Sequence, residues 1–150
     1  MRPDYTPADP DYVNRVRASF DAQAMMSTLG VSITDLGPGW IDLESDHHED
    51  FTQQHGFKHA GAIATALDTA CGYAAFSLMP ADAAVLTVEY KINLLRPVKA
   101  ERYRASATVV KPGRTLTVCT ATATPSNNRT DSIAVMTATL MTLIGTDIKH

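Results

Sequence analysis

The sequence predicts an α+β domain, and three observations carry the prediction. One stretch, Ala60 to Leu78, is dominated by Ala with Ile, Leu, Cys, Tyr and Phe. It is too long for a strand, and Ala is the best helix former, so it reads as a helix apolar nearly all round, the kind that is buried. About six further runs rich in Val, Thr and Ala read as strands. The links between the later runs are short, which makes those strands antiparallel neighbours. One long buried helix among strands joined by hairpins is α+β.

In chain order, residues 1–9 are rich in Pro and Asp and are expected to be loose. Tyr12, Val13, Val16, Phe20 and Ala24 then recur at helical spacing, predicting an amphipathic helix over about 10–26. Leu29 to Leu36 reads as a strand, Gly37-Pro38-Gly39 as a turn and Trp40 to Ser45 as a second strand. An acidic loop, Asp46 to Asp50, leads through Gln53 to the central helix, and Met79 to Ala83 leaves it. Four β runs follow: Val85 to Leu95, Arg102 to Lys111, Thr115 to Thr124 and Ile133 to Leu143. Pro112-Gly113 joins the second of these to the third, and Pro125 to Thr130 joins the third to the last. The 150 residues fit one domain, with no internal repeat or linker.

Composition narrows the function classes. A hydrophobic content of 45%, a charged content of 19% and a net charge of −3 point to neither nucleic acid nor an anionic membrane. No apolar run of about 18 residues is present, and the N-terminus lacks the apolar core of a secretory signal. Cys71 and Cys119 have no metal or redox spacing, so a reducing cytosol is the expected setting. No metal site is expected either: HExxH is absent, and His47 and His48 sit on an acidic loop. Basic residues crowd between Lys91 and Arg114, where Glu101 is the single acid. That crowding fits either a phosphate-bearing ligand or solvated strand faces.

Asp68 sits in the middle of the apolar helix, with no Lys or Arg between Lys58 and Lys91. Burying an unpaired carboxylate costs several kcal/mol or forces it to take up a proton, so its presence needs a reason. Small residues, Ala64, Thr65, Cys71, Gly72 and Ala75, share its face and leave a slot for another group. At the helix start His59-Ala60-Gly61 offers N–H groups without helical partners, at the positive end of the dipole. One segment therefore supplies candidate oxyanion donors and a candidate base, or else a buried Asp bonded to a loop backbone.

The order Gln53, Gly56, His59-Ala60-Gly61 and Asp68 resembles the signature of the hotdog-fold acyl-CoA thioesterases, closest to the phenylacetate-pathway (PaaI-like) branch. The family's usual form is Asn or Gln, then Gly, then His-Gly-Gly, then an acid seven residues beyond the last Gly. The similarity runs from about Phe20 to Leu143 and takes in QQHGF, LTVEYKINLLRP and KPGRTLTV. It implies a curved antiparallel sheet of five to six strands around the central helix, and hydrolysis of an acyl- or aryl-acyl-CoA thioester with no cofactor beyond the CoA of the substrate. It also implies a homodimer with shared active sites, expected to assemble further into a homotetramer.

By this resemblance the Ala60 N–H is the main oxyanion donor, helped by Gly61, and Ala60 stands where most members have Gly. Asp68 acts as general base or as nucleophile. Gln53 orients substrate or water, and His59 holds the loop. Thr87 is expected near the attacking water, contributed by the partner subunit. His55, beside Gly56, either lines the pocket or faces water; Glu89, two residues beyond Thr87, is pocket wall or edge-strand charge. Cys71 and Gly72 border the slot. Arg96, Lys111 and Arg114, with the Gly113 turn, are the candidates for the CoA phosphates. Phe57, Tyr73, Phe76, Met79 and Tyr90 are split between core and an apolar acyl pocket. Two other readings share the residue types: a hotdog hydroxyacyl thioester dehydratase using His59 with Asp68, and a non-catalytic acyl-CoA binding or sensing module.

Overall fold

Nearly every element can be traced to the pattern of small and branched residues just described. The structure, a computed structural model, describes residues 2–99 and 101–148. The chain runs α1 (Tyr12–Ala22), α2 (Ala24–Leu29), β1 (Val31–Gly37), β2 (Trp40–Ser45), a 3-10 turn (Glu49–Phe51), α3 (Ala60–Phe76), β3 (Ala84–Leu94), β4 (Tyr103–Lys111), β5 (Leu116–Pro125) and β6 (Ala134–Leu143). All pairings are antiparallel, in the order β1-β2-β4-β5-β6-β3. The single curved sheet lies against α3, which touches every strand; this is the α+β hotdog architecture.

Period-two alternation explains the register. Tyr103, Ala105, Ala107 and Val109 of β4 face inward, as do Cys119, Ala121 and Ala123 of β5 and Met136, Ala138 and Leu140 of β6. Much of this inner face is Ala, and so is the facing side of α3, where Ala66, Ala70 and Ala74 are fully buried. Small side chains on both surfaces let helix and sheet approach closely, and Leu67, Phe76, Leu43 and Ile133 fill the wider gaps. β3 closes one end of the sheet and is largely exposed, with Leu86, Val88, Tyr90 and Leu94 each 45–52% accessible. This eleven-residue strand is an open edge with exposed apolar side chains, able to pair with another chain.

Three sequence expectations change. The helix predicted over 10–26 breaks at Gln23, whose extended backbone (φ −83°, ψ 98°) separates α1 from α2. The strand expected from Leu29 begins at Val31, because Gly30 adopts a left-handed C-cap (φ 65°) that ends α2. The N-terminal segment is held down. The Arg2 guanidinium stacks 3.3 Å over Trp40 and pairs with Asp35 and Asp42, and Ala8 N–H donates to Leu78 carbonyl at 3.3 Å. Asp9 binds Arg15 at 2.7 Å, and Arg15 donates to the Phe76 and Met79 carbonyls where α3 ends. Among the described residues, no helix is long and apolar enough to cross a membrane.

Candidate active site

The approach to α3 is a short hairpin held by its own backbone. Thr52 and Lys58 form an antiparallel bridge, Gln53 N–H donates to Phe57 carbonyl at 2.8 Å, and His59 N–H donates to Phe51 carbonyl at 2.8 Å. Gly56 makes the turn possible, with a positive φ of 81° that side chains rarely adopt. The Gln53 Oε1 accepts from the His55 N–H, so the carbonyl end of that amide is tied back and its NH2 end remains to donate. Gln53 and Ala60 then line one cleft of about 350 Å³ with Phe57, Ile63, Leu95 and Val98. His55 and Gly56 are exposed and line no cavity described; the expected substrate contact from them becomes a backbone role.

Within this hairpin is Lys58, which sequence reasoning missed. Only 6% of it is exposed, yet its ammonium donates to Asp46 carbonyl at 2.9 Å and sits 4.7 Å from the Tyr103 ring. Burial pulls its pKa below the usual lysine value, against the pull of Asp46 in the other direction. Nothing about an isolated Lys in a polar stretch signals a buried cation.

At the helix start, His59 is the N-cap, and its Nδ1 accepts from the Gly61 N–H at 2.8 Å. That bond removes Gly61 from the oxyanion donors, since its amide already has an acceptor. The Ala60 N–H, at the first helical position, has no helical partner and no cap or loop bond takes it. His59 and Gly61 border a separate cavity of about 310 Å³ with Met25, Phe51 and Thr65.

Asp68 lies further along α3, half-buried beside a third cavity of about 110 Å³ lined by Gln23, Asp68, Thr69, Gly72, Tyr73, Val85 and Thr87. Thr87 Oγ1 donates to Asp68 Oδ1 at 2.8 Å within the same chain, where the expectation was a Thr supplied by the partner. Burial raises the Asp68 pKa, and the Thr87 hydrogen bond opposes part of that rise. No cation pairs with this carboxylate among the described residues.

A bulge at Val88 decides which β3 side chains join it. Thr87 is opposite inward-facing Leu140, whereas Glu89 is opposite Thr139, from whose hydroxyl it accepts on the outer face. Glu89 therefore does not share the face of Thr87, and it leaves the expected pocket. Cys71 leaves it too: it is fully buried in the core, its pKa pushed well up by burial, and its carbonyl accepts from Cys119 Sγ at 3.5 Å. Gly72 stays at the slot. Of the apolar pocket candidates, Phe76 and Met79 are core, Phe57 lines the large cleft and Tyr73 the small one.

The basic cluster disperses. Arg96 borders the large cleft but lies between Glu101 at 3.2 Å and Asp131 at 3.1 Å, and Arg102 pairs with Asp46 and Glu44. The Gly113 N–H donates to Thr117 Oγ1 at 3.4 Å, and a Cβ there would lie 2.0 Å from Leu116 carbonyl, so this glycine is needed to close the turn. Lys111 and Arg114 flank it, exposed and outside any ion pair among the described residues. No group of three His, Cys, Asp or Glu placed to hold a metal occurs among the described residues.

Comparisons with known proteins agree with this architecture. The model of the thioesterase superfamily matches residues 55–131, which include Ala60, Asp68 and Thr87. A Halobacterium salinarum protein named as a candidate esterase is 34% identical over 108 residues, covering 69% of this chain and 71% of its own. The crystal structure of a thioesterase family protein from Silicibacter pomeroyi superposes with a TM-score of 0.84 at 54% identity, covering 89% of this chain and 99% of its own. The Escherichia coli PaaI protein of the phenylacetic acid degradation operon shares the fold, with a TM-score of 0.83 at 21% identity over 93% of this chain and 98% of its own. With motif, topology and these matches in agreement, the chain belongs to the thioesterase superfamily and carries the PaaI-like form of the hotdog fold.

Proposed function

We propose that the protein hydrolyses acyl-CoA thioesters at a site assembled from two copies of the chain, with Asp68 of one copy acting as general base on the water that attacks a carbonyl held by Ala60 and Gln53 of the other. The observation that carries this is Asp68 itself: an acid without a cation, half-buried, its pKa raised, one oxygen fixed by Thr87 and the other free beside a cavity. A base with a raised pKa is better matched to taking a proton from water near neutrality.

Two copies are needed for a geometric reason. Ala60 and Asp68 are eight residues apart on one helix, about 12 Å along its axis, and they border different cavities. A carbonyl within about 3.5 Å of Asp68 is out of reach of the Ala60 N–H of the same chain. Pairing of the open β3 edges across a two-fold axis reverses the direction of one α3 relative to the other, and so brings the leading end of one helix toward the middle of its partner. The exposed Leu86, Val88 and Tyr90 supply apolar area for that contact. Pairs of dimers forming a tetramer extend the same proposal.

In the step proposed, water attacks the thioester carbon while Asp68 takes its proton. The Ala60 N–H and the Gln53 NH2 stabilise the tetrahedral oxyanion. The C–S bond then breaks, and the proton passes from Asp68 to the departing sulfur, giving free acid and CoA thiol. Lys111 and Arg114, both uncompensated, are the proposed phosphate contacts; Arg96 already has two carboxylates. The dehydratase reading needs the His59 imidazole at the reacting carbon, and its Nδ1 is already tied down as the helix cap by the Gly61 N–H. The free thiols of Cys71 and Cys119 suit the reducing cytosol proposed as the setting.

The test is thiol release from a panel of acyl-CoAs by wild type and Asp68→Ala. The variant should lose about a hundredfold or more. Equal rates would remove Asp68 from the mechanism, and thioester bound without turnover over hours would make the protein a binding module. Single turnover in 18O-water places the label in the free acid if water attacks directly; label in Asp68 would show that the carboxylate attacks instead.

A further inference from the structure

The small cavity beside Asp68 differs in shape and chemistry from the large cleft beside Ala60, and the two ends of a thioester must divide between them. The large cleft is open and predominantly apolar, bounded by Phe57, Ile63, Leu94, Leu95, Pro97 and Val98. The small one holds about 110 Å³, room for about four atoms of the size of water. We infer that the small cavity receives the acyl tip, and that Gln23 and Thr69 select short aliphatic acyl groups carrying a hydroxyl near their end. This inference rests on the hydrolase reading of the same site.

The division follows from what each end requires. The reacting carbon must come within about 3–3.5 Å of Asp68 or its water, so the acyl atoms next to it enter the space that Asp68 itself borders. The CoA arm is long and must reach solvent, which suits the larger, more open cleft on the oxyanion side. An acyl chain is the end that stops. About four atoms of space admit a butyryl-sized group; benzene occupies an apolar cavity of about 150 Å³, so an arylacetyl group overfills this one.

Polarity comes from the break between α1 and α2. The extended backbone of Gln23 at that break lets its side chain reach the cavity, where its Oε1 accepts from Thr69 Oγ1 at 3.5 Å. No described bond uses the Gln23 NH2, so a donor pair faces a space whose opposite rim carries Asp68 and Thr87 and whose remaining wall is Val85, Gly72 and the Tyr73 ring. The Tyr73 hydroxyl is engaged with Ser19 at 3.1 Å and offers ring surface instead. A plain alkyl tip leaves these polar groups facing an apolar group; a hydroxyl can accept from the Gln23 NH2 and donate to its Oε1 or to Thr69. Gly72 sets the depth, since a Cβ there would meet nothing within 4 Å and any larger side chain would project into the free space.

The experiment compares kcat/KM for acetyl-, butyryl-, 3-hydroxybutyryl-, octanoyl- and phenylacetyl-CoA, read as thiol release, in wild type, Gln23→Leu and Gly72→Val. Wild type should favour 3-hydroxybutyryl over butyryl by about tenfold or more, and Gln23→Leu should bring that ratio close to one. Gly72→Val should lower both four-carbon substrates at least about tenfold more than acetyl-CoA; valine replaces glycine within a helix, so the fold is not put at risk. Melting temperatures of the variants verify that. A wild type that prefers octanoyl or phenylacetyl groups, or variants that change all five substrates in parallel, would overturn the inference while leaving the hydrolase reading standing. Absence of thiol from every thioester would overturn both.

Discussion

Two individually inactive proteins should regain activity when their subunits are mixed. Asp68→Asn removes the base from every site of its own dimer, and Gln53→Ala removes an oxyanion donor from every site of its own. Because Ala60 and Asp68 lie about 12 Å apart on α3, the proposed site takes its amides from one copy and its acid from the other. A mixed dimer then has one site with both substitutions and one with neither. Random reassociation of equal amounts makes half of the dimers mixed, each with one intact site of two, so activity should recover to about a quarter of wild type. The separate variants should each lose about a hundredfold, which sets a clear background. The assay is thiol release after subunit exchange, with a mass tag on one variant to measure the mixed fraction. A mixture that contains mixed dimers but stays at background would refute the shared site, because sites confined to one chain are inactive in both parents and in every mixture. A protein that sediments as a monomer while hydrolysing thioesters would refute it too.

Other predictions concern single groups. Thr87→Val removes the hydrogen bond that holds Asp68 ionised, so the carboxyl pKa rises further. Activity needs the ionised form and falls as pH drops through that pKa; the acid limb of the pH–rate profile should therefore move to higher pH, and an unmoved limb would separate Thr87 from Asp68. The same raised pKa has a stability sign: the favourable contribution is present while Asp68 is protonated and is lost as pH rises through its folded value. Asp68→Asn should accordingly melt above wild type at neutral pH, with the gap shrinking as pH falls toward the ordinary carboxylate range, as calorimetry can measure. Lys58→Ala should cost roughly 2 kcal/mol, about 4–8 °C in Tm, by leaving Asp46 carbonyl without its buried donor. It should also lower kcat through the hairpin that carries Gln53, while unchanged melting would deny Lys58 that role.

How much of this was legible beforehand varied with the physics of each element. The helix α3 could be read because an Ala-rich stretch has one low-energy choice, and Asp68 stood out because a lone carboxylate in such a helix violates the usual cost of burial. The antiparallel order of β4, β5 and β6 followed from short links. The break at Gln23 could not be read: neither Gly nor Pro marks it, and the apolar spacing continues across it. Nor could the capture of the Gly61 amide by His59, because a side chain two residues away competes for a donor that spacing alone leaves free. Crowding of Lys and Arg between Lys91 and Arg114 in sequence did not become a patch, since Arg96 and Arg102 each meet acids from distant strands and loops.

The extra residue in β3 has a consequence for how this strand can change. Side chains along a strand obey a parity rule, and Val88 is the surplus position that resets it between Thr87 and Glu89. Losing that residue would leave Thr87 opposite Leu140 and Glu89 opposite Thr139 in an unbroken ladder, whereas a loss before Thr87 would turn out the hydroxyl that steadies Asp68 and a loss after Glu89 would turn in its carboxylate. Deletion of Val88 should therefore be tolerated, while a single deletion elsewhere between Ala84 and Leu94 that reverses Thr87 should abolish activity even where the edge still folds.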